Sequence, residues 1–209
     1  MADPRAADPT PRQAWHRHRY LKFGFIEDLD RTRHIAVGRL WSVVIAVTPT
    51  VWLQGPLFFL LGLALSFVPG RVPPGAGLAI RAADVLTFLV AGLVANTVHG
   101  FGHIVSGTLA GSAMDELLFT ATRDANIYRG DQSGIRGRTH VARAIGGPAA
   151  NLIVAALAYA VMAAVGGGGH PWLARIGSVN LLFGLGGLLP VPSVDGEVIW
   201  RVAWRGRAD

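Results

Sequence analysis

The stretch Val98-His99-Gly100-Phe101-Gly102-His103-Ile104 lies late in a long apolar run from about Ala82 to Ala110. Two histidines four residues apart on a helix share one face, one turn apart, so both imidazoles can reach one metal ion. They supply half of a tetrahedral site. The familiar form of this spacing is H-E-x-x-H, in which the Glu after the first His is the general base toward water. Here that position is Gly100, which cannot take up a proton. The ligand spacing is kept and the acid–base residue is absent, and a reading of the chain has to accommodate both.

Composition sets the class around that stretch. With 209 residues, 51% hydrophobic, 15% charged and a mean hydropathy of +0.40, the chain is too apolar for an ordinary water-soluble domain and reads as an integral membrane protein. It has no cysteine, which excludes disulfides, thiolate metal sites and a cysteine nucleophile and leaves His and carboxylate as metal ligands. The net charge of +6 and pI near 10.9 do not point to nucleic acid, because the arginines are spread between apolar runs without a basic, aromatic-rich groove. An anionic lipid leaflet is the simpler partner.

Along the chain, residues 1–36 form a polar tail, disordered at least to Thr10, with an aromatic and basic stretch from Trp15 to Phe25. It lacks the apolar core and cleavage site of a secretory signal and reads as a retained, solvated tail. From Gly38 to Val68 the chain is apolar but broken by Pro49, Gln54, Gly55 and Pro56. It forms either one bent helix or a strand or hairpin over Gly38 to Val47 followed by a span over 51–68; β-branched content and the prolines favour the second. The next span is 82–110. A polar loop with short β-prone pieces follows, then spans over 142–165, opening near Gly146-Gly147-Pro148, and 172–189. The residues from 197 to 209 form a short surface segment, with Trp200 and Trp204 at i and i+4 of an amphipathic helix.

Four spans place sixteen of the nineteen basic residues on one side, a strong positive-inside bias. The termini and the 111–143 loop are then cytoplasmic. His99 and His103 lie where the second span nears that side, and Asp195 follows the fourth span to the same side. Two imidazoles and one carboxylate, with water in a fourth position, make a zinc site of catalytic type.

At this point the chain resembles the site-2 protease family of intramembrane zinc metalloproteases, over about Gly38 to Glu197. Gly38-Arg39-Leu40-Trp41, leading through Val47-Thr48-Pro49-Thr50-Val51-Trp52, is similar to that family's interfacial strand and the V-x-P that follows it. The His99/His103 pair with Gly102 matches H-E-x-G-H apart from the Glu. Ile145-Gly146-Gly147-Pro148-Ala149-Ala150-Asn151 is similar to A-G-P-x-x-N, and Leu188-Leu189-Pro190-Val191-Pro192-Ser193-Val194-Asp195-Gly196 to N-L-L-P-x-P-P-L-D-G-G. The resemblance implies His99, His103 and Asp195 as zinc ligands and peptide hydrolysis on unwound transmembrane segments as the ancestral chemistry. It also implies losses. The family's base falls at Gly100, its motif-opening Asn at Gly187 and its second terminal Gly at Glu197.

Among other acids, Glu116 lies more than about three helical turns from His103, and Glu197, just beyond Asp195, is the remaining candidate base. The expectation is therefore an all-α polytopic membrane protein with about four transmembrane helices and a small interfacial β element. It binds zinc, is proteolytically impaired, and engages a membrane segment or a partner protease in the bilayer. An active protease with an unorthodox base is the alternative. A metal or small-solute transporter is the third, and the scarcity of further acids or histidines deep in the spans argues against it. Asn96 and Thr97, beside His99, are candidates to support the ligands or simply to pack helices.

Overall fold

The choice left open over Gly38 to Val47 resolves as a hairpin: β1 (Ile35–Leu40) pairs antiparallel with β2 (Val43–Val47). Its two-residue turn needs a left-handed backbone, and Trp41 takes φ 53° there. A bulge between Ala36 and Gly38 shifts the register of β1. The computed structural model describes residues 32–122, 124–132, 134–166, 171–192 and 194–205, and the chain divides into two units, Met1–Arg33 and His34–Asp209. The polar tail expected over 1–36, with its Trp15 to Phe25 stretch, lies outside the described residues but for its last few.

The 111–140 loop contributes two more strands, β3 (Glu116–Phe119) and β4 (Asp124–Ile127), giving a four-stranded sheet in the order β1-β2-β3-β4. β2 and β3 run parallel and β3 and β4 antiparallel. One sheet face is apolar, and its Val43 and Leu117 close with Met114 over Ile104 of the long helix, all buried. That contact seats β4 against the His99–His103 region.

A 3-10 turn at Val51–Leu53 runs into α1 (Gln54–Leu65), where Pro56 sits in the first turn and so removes no intrahelical bond. The helix stops short of the expected Val68 because the Ser66 hydroxyl donates to the Leu63 carbonyl at 2.7 Å and the chain turns at Pro69-Gly70. α2 (Leu78–Leu109) ends at a left-handed Gly111, and Ser112 N–H returns to Gly107 O at 2.8 Å. α3 (Gly137–Ala164), α4 (Pro171–Gly187) and the amphipathic α5 (Asp195–Arg205) follow.

The start of α3 corrects the sequence reading. It was expected near Ala142 with Gly147-Pro148 opening the helix, but the helix begins at Gly137 and Pro148 lies inside it. Arg143 explains the extension. Its guanidinium donates to Ser112 O and Gln132 Oε1 and to the Ser112 hydroxyl, and lies 4.1 Å over the Tyr128 ring, so tertiary bonds hold the turns ahead of the proline.

α2 and α3 are long and apolar enough to cross a membrane; α1 and α4 are shorter. Only 28% and 33% of the most apolar windows of α2 and α3 are buried within the fold. A core helix of a soluble protein would be mostly buried; here Val90, Leu109, Ile153 and Leu157 point outward. Behind that surface, Phe88, Ala91 and Ala95 of α2 pack with Val179 of α4, flanked by Phe58 and Leu65 of α1.

Candidate metal centre

The ligand face of α2 meets α3 at a crossing made of small residues. A Cβ on Gly102 would collide with the Gly146 carbonyl, and one on Gly146 with the Gly102 carbonyl and Ser106, so the two backbones touch there. At Gly147 the consequence is chemical. A Cβ at that position would stand 2.5 Å from Nε2 of both His99 and His103. The glycine therefore keeps open the space in front of both imidazole nitrogens.

The tautomers of both histidines follow from their neighbours. Asn151 Nδ2 donates to the Ala95 carbonyl at 2.9 Å and to Asn180 Oδ1 at 2.8 Å, so its Oδ1 is the atom left facing His99 Nδ1, 2.8 Å away. An amide oxygen accepts only, and Nδ1 of His99 must carry the proton. On His103, Nδ1 donates to the Arg143 carbonyl at 2.8 Å. Both rings thus turn Nε2 toward the same carboxylate, His99 to Asp195 Oδ2 at 2.9 Å and His103 to Oδ1 at 3.3 Å. Without a metal, a ring bonded at Nδ1 meets the carboxylate through an Nε2–H donor as imidazolium; with Nε2 deprotonated, the two nitrogens and the carboxylate are the donor set a shared divalent metal takes.

Asp195 is the first residue of α5, where the helix dipole favours a negative charge. Burial alone would push its carboxyl up, but His103 and His99 outweigh burial and hold it at about 2. One donor atom from each of His99, His103 and Asp195 lies within 4.8 Å of the others, and no further His, Cys, Asp or Glu joins them among the described residues. The residues present fit a zinc ion: two nitrogens oriented through their second ring atoms, one ionised carboxylate, and an open cradle at Gly147.

The other expected residues are placed as follows. Gly100 faces the sheet, and a Cβ on it would lie 2.9 Å from Asp124 Oδ2 and 3.0 Å from Leu117 Cδ2. Glu197 extends along α5, its Oε1 3.8 Å from Arg201, beside a cleft lined by Pro190, Trp200 and Trp204. Glu116 is buried at the start of β3, paired with Arg129 and with His34 at 2.7 Å. Thr97 bonds back to Leu93 O of its own helix, while Asn96 is buried on α2. A Cβ at Gly187 would come within 3.5 Å of His99 Cε1, so that position borders the site.

Three further residues near these ligands carried no assigned role in the sequence. Asn151 was visible as the end of Gly-Pro-x-x-Asn. Arg143 and Asp124 were two charges in a polar stretch, and no spacing marked them. Asp124 is half-buried as a residue, yet its Oδ2 is closed to solvent, and no donor reaches it among the described residues. Burial pushes its carboxyl above the usual range, against the pull of His99 and His103.

No protein-family model matches this sequence, and no curated protein matches it. Among solved structures, the chain is similar to the site-2 protease from Methanocaldococcus jannaschii, with a TM-score of 0.54 and 18% identity, covering 82% of this chain and 72% of that one. At that identity the likeness is one of fold.

Proposed function

We propose that this chain is an integral membrane metalloprotein of site-2 protease type, in which His99, His103 and Asp195 hold one zinc ion facing the backbone of membrane-embedded peptide segments. In this reading α1 and α4 join α2 and α3 as spans, and the sheet, α5 and both termini face the cytoplasm. The observation that carries it is the convergence of the two Nε2 atoms on the Asp195 carboxylate, with both Nδ1 atoms already committed to Asn151 and to the Arg143 carbonyl. A zinc ion bound there would act as a Lewis acid toward a peptide carbonyl. Asn151 and the Arg143 carbonyl hold the rings in register, and Asp195 supplies the compensating charge.

The zinc content of the detergent-purified protein, beside His99→Ala and Asp195→Ala, tests this. About one equivalent in the parent and loss in both variants is expected, as for a site with three protein ligands. A parent protein that takes up no zinc when it is supplied overturns it.

A second reading, a binder of membrane segments or of a partner protease without turnover, is favoured by Gly100 and Gly187. Gly187 borders His99, Gly100 follows His99 on α2, and neither offers a functional group. Efficient zinc-dependent cleavage of a single-span peptide by the parent protein rejects that reading.

A further inference from the structure

We infer that Asp124, entering from β4, is the acid–base carboxylate of this site, standing in the space into which a side chain at position 100 would project. The inference rests on the metal-site reading above and concerns a different element of the chain. Gly100 follows His99 directly on α2, and its missing side chain would point at the sheet. There the first atom met is Asp124 Oδ2, 2.9 Å from the position of a Cβ, with the two Leu117 methyls at 3.0 and 3.2 Å beside it. Glycine on the helix and aspartate on the strand are thus complementary, because a larger residue at 100 and the carboxylate at 124 compete for one volume.

The state of Oδ2 gives the second argument. It is closed to solvent and no donor reaches it among the described residues, although an apolar side chain against Leu117 would fill the same space without desolvating a charge. A buried carboxylate oxygen held without a partner against Gly100, the residue that follows His99 on α2, is suited to receive a proton rather than to brace the fold. Asp124 is also distinct from the ligands, since it is not among the three residues whose donor atoms cluster within 4.8 Å. Aspartate is one methylene shorter than glutamate, and delivery from the facing strand makes up for the shorter reach.

In peptide hydrolysis the oxygen of water bonds to the carbonyl carbon as one O–H bond breaks, and that proton passes to Asp124 Oδ2. The C–N bond then breaks, and the proton moves from Oδ2 to the departing amine nitrogen, which regenerates the carboxylate. Water and the peptide bond are the only reactants.

The test uses the full chain in detergent as parent, Asp124→Asn, Gly100→Glu and the double variant Gly100→Glu/Asp124→Gly. Three quantities are read: zinc affinity by chelator competition, Tm, and cleavage of a quenched-fluorescence single-span peptide. Asp124→Asn is expected to bind zinc with less than the ~10-fold loss typical of a group bonded to a ligand. Its cleavage rate should fall by about 10²- to 10⁴-fold. Gly100→Glu alone should lower Tm, because two carboxylates then share one buried space, and Asp124→Gly in that background should restore both Tm and cleavage.

Several results overturn the inference: parent-level cleavage by Asp124→Asn, zinc binding by the parent without cleavage, a large zinc loss in Asp124→Asn, which would make it a ligand, or an unchanged Tm for Gly100→Glu. A parent that takes up no zinc removes the metal-site reading and this role together. It is told apart from failure of the role alone, in which zinc binds and Asp124→Asn changes nothing.

Discussion

Asn151 decides which nitrogen of His99 faces Asp195. Its amide donates to Ala95 O and to Asn180, whose own amide is committed to Ile176 O, so the chain of donors runs one way and ends by accepting the proton on His99 Nδ1. Gly147 then decides whether anything can sit in front of the two Nε2 atoms. Gly147→Ala places a methyl 2.5 Å from both, so the two rings, pinned at Nδ1, must shift and Tm should fall as well. Zinc affinity should therefore drop by about 10- to 100-fold or more, the range seen when a ligand's setting is disturbed. Chelator competition and a melting curve on the same sample check this, and unchanged affinity would show that the metal lies elsewhere. His99, His103 and Asp195 were legible in the sequence because helical spacing and span topology bring them to one depth. Asp124 was not, because it approaches across a sheet whose pairing follows from contacts distant in the chain.

Elements were legible where a local pattern outweighed its competitor. Over Gly38 to Val47, β-branched content and the prolines favour a strand or hairpin over one bent helix, and β1 and β2 form the hairpin; the long apolar run gives α2, starting a few residues before the expected Ala82. α3 was misjudged at its start because Pro148 signals a helix opening locally, while Arg143 holds the preceding turns through Ser112, Gln132 and Tyr128. β3 and β4 were expected only as β-prone pieces, and what makes them a sheet is the parallel pairing of β2 with β3 and the burial of Leu117 and Leu118. Leu117 joins strand and helix: it is fully buried, packs in the cluster of Val43, Ile104 and Met114, and its methyls lie beside Gly100. Leu117→Ala should lower stability by about 2–5 kcal/mol through lost burial and the cavity left behind. A denaturation series in detergent reads the loss, and a change under 1 kcal/mol, on the order of a surface substitution, would mean that the sheet is not held to α2 through this residue.

For the molecule as a whole, charge and polarity separate along α2. Asp84, near its start, pairs with Arg71 at 2.8 Å and with Arg175, and Arg81 donates to Ser66 O at 2.6 Å, so the three basic residues outside the Arg-rich segments gather at one end. His99 lies about 22 Å further along the helix axis, at 1.5 Å per residue, next to the sheet and α5. Those elements, their loops and the first turn of α3 carry Arg39, Arg129, Arg136, Arg138 and Arg201. In the proposed topology, a membrane normal along α2 would put the Asp84 cluster at one interface and the candidate metal centre near the other, and the positive-inside bias would make the second the cytoplasmic one. The absence of cysteine makes this directly measurable, since a single introduced thiol is the sole labelling site. Pro73→Cys, Gly134→Cys and Ala203→Cys all fall on exposed positions, and Gly134 has open space around it. In intact cells a membrane-impermeant maleimide should label Pro73→Cys, whereas Gly134→Cys and Ala203→Cys should react only after permeabilisation. The reverse pattern would invert the orientation and place the centre on the outer side. If residues 134 and 203 label from opposite sides, an odd number of spans separates them, and α3 and α4 cannot both cross.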